Sequence, residues 1–134
     1  WLTCGSNTNT VEIIASDALG GSSSKTITFS RKITKLQIVM KNAIETDAKA
    51  TKILVSPQWT TTGGGGKVEV CNNGFDPNPT WEDATTMVVL NRPHLFTNTS
   101  KTASKWGIKI RITVTKNQGY DGEVAIFGFG GAYE

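Results

Sequence analysis

The chain is short of almost everything that marks an active site. It has one histidine and two cysteines in 134 residues. Any Ser–His–Asp or Cys–His arrangement would have to be built on His94, and no elbow motif surrounds a serine, so no catalytic residue is expected. Cys4 and Cys71 form no CxxC pair, which removes the redox and zinc motifs. They remain a candidate disulfide, worth about 2–4 kcal/mol if formed, or two unpaired, partly buried thiols. No run approaches the ~18 apolar residues of a membrane span, and no window has a helical period except a short one at residues 43–50. Charge is sparse and nearly balanced, 14 basic against 11 acidic residues. Lys101, Lys105, Lys109, Arg111 and Lys116 cluster in sequence, without the interleaved aromatics that stack bases. They are expected on a solvated strand face, and neither nucleic acid nor a membrane is an expected partner. The chain begins at Trp1 and is read as a processed product, an excised domain or a chain whose first residues are not included, and a removed leader would leave no trace.

What is present is β-structure. From residue 106 the chain alternates Trp106, Ile108, Ile110, Ile112, Val114 against Gly107, Lys109, Arg111, Thr113, Thr115, the pattern of a long strand with one dry face. A loop over 116–122 leads to a second apolar run at 123–129, and the two read as a hairpin. Shorter strands are expected at 11–15, 26–30, 35–40, 53–56, 67–71 and 87–90, with Leu36, Ile38 and Met40 facing inward and the fourth strand ending at Pro57. Together they predict one domain over residues 1–134: an all-β, antiparallel β-sandwich of jelly-roll or immunoglobulin-like type with about eight strands.

Three loops are candidates for function. The run Gly63, Gly64, Gly65, Gly66 after Trp59 predicts a mobile hairpin tip; Lys67 follows it, but P-loop spacing is missing. Asp76, Asn78 and Asp83 place oxygen ligands on a loop loosely like the start of a calcium site, although Pro77 and Pro79 restrict its wrap. The same side chains serve equally well as turn caps; Asp76, Glu82 and Asp83 share one loop, a poor arrangement for glycoside cleavage. No cofactor is expected. Trp59, Trp81 and Tyr120 offer flat faces for stacking on sugars, which a small secreted β-sandwich would use to bind glycan. Asn98, Thr99 and Ser100 match the N-glycosylation acceptor pattern.

The stretches 79–85 (PTWEDAT), 96–103 (FTNTSKTA), 106–114 (WGIKIRITV) and 128–134 (GFGGAYE) together resemble the C-terminal part of small structural proteins of tailed bacteriophages and prophages of Gram-positive bacteria. The resemblance covers roughly the second half of the chain. It implies a virion location and a non-enzymatic role as a decoration, fibre or tail subunit, with other virion subunits and copies of itself as partners and a host glycan as a further contact. Two alternatives stand beside it: a carbohydrate-binding module of a secreted bacterial enzyme, and an extracellular filament or adhesin subunit in which residues 11–15 would be the donated strand.

Overall fold

A computed structural model describes residues 2–4 and 6–134, with side chains from Asn9 onward except Arg31. The chain is all-β and antiparallel. Its described residues form eleven strands and one short helix: β1 (Leu2–Cys4), β2 (Ser6–Ser16), β3 (Ser22–Lys32), β4 (Lys35–Val39), β5 (Ile44–Thr46), β6 (Lys52–Thr60), β7 (Gly64–Cys71), β8 (Glu82–Asp83), α1 (Thr85–Val89), β9 (His94–Leu95), β10 (Trp106–Lys116) and β11 (Val124–Tyr133). One sheet has the order β1-β11-β6-β9 and a second β4-β10-β7-β8 with β5 added to β10; β2 and β3 pair only with each other.

The alternating segment is β10, the centre of the second sheet. Its Ile108, Ile110, Ile112 and Val114 are buried against Val68 and Val70 of β7, Ile53 and Val55 of β6, and Val124 and Ile126 of β11. The opposite parity carries Lys109, Arg111, Thr113 and Thr115. β10 is paired along β4 from Lys35 to Val39 and along β7 from Gly64 to Cys71. Both its edges are therefore occupied, and the expected 106–129 hairpin does not form. The chain crosses instead to the other sheet, where β11 pairs with β1 and β6. A bulge between Ile126 and Gly128 shifts the register there, and beyond it Phe129, Gly131 and Tyr133 stand opposite Pro57, Val55 and Ile53 of β6.

Four further expectations are corrected. Residues 43–50 are not helical: β4 stops at Val39, opposite Arg111, so the lower end of β10 is left to pair with β5, Ile44 opposite Ile108. Residues 87–90 are not a strand: Asp83 Oδ1 accepts from the Thr85 N–H at 2.9 Å and turns the chain into α1, whose Val88 packs on the core. Strand β6 does not end at Pro57, because β9 flanks it only at Lys52 and Ile53 and leaves the rest as an edge that tolerates proline. The glycine run is not a free tip, since Gly64, Gly65 and Gly66 are laddered to Lys116, Thr115 and Val114.

Candidate functional site

Strands β2 and β3 form an arm. Each has 11 residues, so the ribbon is about 35 Å long. Every described side chain on it from Asn9 to Ser30 is exposed, so the arm stands clear of its own sheets. The register sorts its side chains onto two faces. Val11 opposite Ile27, Ile13 opposite Lys25 and Asn9 opposite Phe29 share one; Thr10 opposite Thr28, Glu12 opposite Thr26 and Ile14 opposite Ser24 share the other. One face thus carries an apolar stripe of Val11, Ile13, Ile27 and Phe29, and the other is mostly hydroxyl. The strict alternation of residues 26–30 is the pattern of a half-buried strand, yet none of the described residues buries it.

The tip of the arm is ordered. Asp17 Oδ1 accepts from the N–H groups of Leu19 and Gly21 at 2.9 and 2.8 Å, and the Asp17 N–H donates to the Gly21 carbonyl. Gly20 supplies the left-handed backbone the turn needs, at φ 88°. The result presents Leu19 at the end of the ribbon, 96% exposed.

At the far end of the two facing sheets lies an apolar cleft. Its cavity, about 230 Å³, is lined by Met40, Ile44, Ile108, Phe129, Ala132 and Tyr133 among others. Among the described residues strand β1 is laddered to β11 from Val124 to Ile126, and from Gly128 to Tyr133 the strand partner of β11 is β6. This cleft and Leu19 escape a reading of the sequence. The one signal for Leu19 is a large apolar residue isolated in the turn cluster Asp17, Ala18, Gly20, Gly21.

The sites expected from sequence resolve differently. Trp59 lies on β6 and, like Tyr120, packs against the core. The Lys116 ammonium sits over the Tyr120 ring at 5.8 Å. Trp81 lies on the outer face of the second sheet, with the Arg111 guanidinium 4.4 Å from its ring centroid. The three rings form no common exposed platform. Arg111 also donates to Glu69 at 2.7 Å, and Lys67 donates to the same carboxylate at 2.9 Å. The Arg111 hydrogen bond in particular holds Glu69 below its ordinary pKa. Lys105 pairs with Glu45 at 2.7 Å, and Lys101 donates to the carbonyls of Ala103 and Ser104. The basic cluster is thus largely engaged locally.

The calcium candidates are separately occupied. Asp76 accepts from the N–H groups of Thr102 and Ala103 and from Asn73 Nδ2. Burial alone would raise its pKa, but these donors outweigh burial and lower it. Asp83 serves α1, and Asn78 is exposed. Among the described residues no group of three or more acidic, histidine or cysteine side chains could hold a metal ion. His94 Nε2 lies 3.0 Å from Glu82 Oε2, and the same carboxylate accepts from the N–H groups of Thr97 and Asn98. The Asn98 side chain donates to Asn72 Oδ1 and the Ser100 carbonyl. Cys71 is free and fully buried, and burial pushes its thiol up to about 11; the Cys4 side chain lies outside the described residues. No family model, curated protein or solved structure matches the chain.

Proposed function

We propose that this protein is a non-enzymatic structural subunit that assembles with copies of itself through its arm. On the resemblance of its C-terminal half, the assembly belongs to the particle of a tailed phage. One observation carries the reading: the continuous apolar stripe Val11, Ile13, Ile27 and Phe29 on a ribbon exposed along its whole described length. A lone two-stranded ribbon is marginal in water, and an apolar sheet face is stable when something covers it.

The strand order supports the same role. With the arm and β5 set aside, eight strands remain in two sheets of four, β1-β11-β6-β9 and β4-β10-β7-β8. That order, with the first strand beside the last, favours a jelly roll with the arm inserted after its first strand. An immunoglobulin-like fold would divide its strands as four and three. Jelly rolls serve as virion subunits and as lectins; the packed positions of Trp59, Trp81 and Tyr120 favour the former.

The test is mass by light scattering with electron microscopy of the same sample. The full chain is expected to give ordered oligomers or filaments. Changing Val11→Ser and Ile27→Ser together should leave a folded monomer. A wild-type chain that stays monomeric as its concentration is raised would sink the proposal.

A further inference from the structure

We propose that the arm of one copy docks tip first into the apolar cleft of the next copy, with Leu19 seated in the cavity. This docking rests on the self-assembly proposed above and names the surface that receives the arm.

The register places the two features at opposite poles. Cys4, from which the arm departs, is opposite Val124 at the start of β11; Lys35, to which it returns, is opposite Thr115 at the end of β10. The cleft lies at the other ends of the same strands: Tyr133 is opposite Ile53, and Ile108 is opposite Ile44. An arm exposed on all its described side chains does not fold back to its own cleft, so the occupant is a second chain.

The surfaces match in chemistry and size. The cleft is apolar at its walls, and its volume of about 230 Å³ exceeds the ~150 Å³ that accommodates a benzene ring. It therefore has room for one leucine side chain. Beside it runs the β11 edge from Gly128 to Tyr133, which among the described residues is laddered on the β6 side alone and offers main-chain groups to an incoming strand.

Area decides the form of the assembly. One face of a two-stranded ribbon, about 35 Å by about 10 Å, covers ~350 Å² per partner, against ~800 Å² in a stable pair. A single arm-in-cleft contact is therefore too small for a durable dimer. The contact is also heterologous, so each subunit can make it twice, and the stable product is a closed ring, from which no subunit leaves without breaking two contacts.

The experiment uses the full chain and three variants: Leu19→Asp at the tip, Phe129→Arg on the β11 wall of the cleft, and both together. Circular dichroism and thermal unfolding establish that each is folded, and Ile44→Arg on the opposite cleft wall replaces Phe129→Arg if that variant is not. Each single variant is expected to be monomeric at concentrations where wild type assembles, with association at least about tenfold weaker because a buried leucine is lost. Added in small amounts to wild type, each single variant retains one working surface and should cap growth, lowering the mean assembly mass; the double variant should not.

Single variants that assemble as wild type does, or that fail to cap, would overturn the docking. If they assemble while the Val11→Ser, Ile27→Ser protein does not, the arms pair face to face, and the assembly role survives without this site. A wild-type chain that never assembles removes the assembly role itself.

Discussion

Glu82 ties three parts of the chain together. It sits on β8, faces His94 of β9 at 3.0 Å, and accepts from the N–H groups of Thr97 and Asn98. It therefore clasps one sheet to the other at the pole that holds the cleft. Burial by itself would raise its pKa, but the donors of Thr97, Asn98 and His94 together hold it below the ordinary 4.5. A depressed carboxyl pKa gives stability that is complete above the unfolded value and is lost as pH falls through the folded one. Replacing Glu82→Ala should cost about 2–3 kcal/mol near neutral pH, since charged hydrogen bonds are lost and two backbone donors are orphaned. Urea unfolding of both proteins at pH 7 and pH 3 checks this: the difference should shrink in acid, and an equal difference at both values would count against the role. None of this is legible in sequence, where Glu82 looks like one more solvated acid on a polar loop.

At the scale of elements, strand β7 depends on glycine where the sequence suggests looseness. A Cβ on Gly64 would collide with the carbonyl oxygen of Thr115, while one on Gly130 of β11 would meet nothing. Gly64→Ala should therefore destabilise the fold by about 1–3 kcal/mol through overpacking of backbone on backbone. Gly130→Ala should stay within about 0.5 kcal/mol of wild type. Thermal unfolding of the two variants distinguishes a packed strand from a mobile tip, and equal melting temperatures would favour the tip. Periodicity located β10 because its dry face is continuous. It failed for residues 87–90, where β-forming side chains are overridden by the Asp83–Thr85 turn and by a helix too short to show a period.

The whole molecule is a two-sheet body with an appended arm. Among the described residues β2 and β3 pair only with each other, and no described arm side chain belongs to the core cluster or packs against it. Replacing residues 7–31 by Asn-Gly, which suits a tight turn between the paired Ser6 and Lys32, should leave a cooperatively folding protein with a melting temperature within a few degrees of wild type. It should also abolish assembly. Loss of the cooperative transition would mean that the arm is needed to fold the body and would contradict its appended character.

By itself the sequence determined the all-β class, the central strand and the two alternating segments that became the arm, because period-two burial is a local property of the chain. It also determined the lack of any nucleophile–histidine motif or CxxC pair. Only the tertiary structure decided which strands neighbour one another. β10 had no free edge for β11, so the terminal strand crossed to the other sheet. Only the tertiary structure left the dry face of residues 11–29 without a cover, because alternation records that a face is apolar and not whether the same chain buries it.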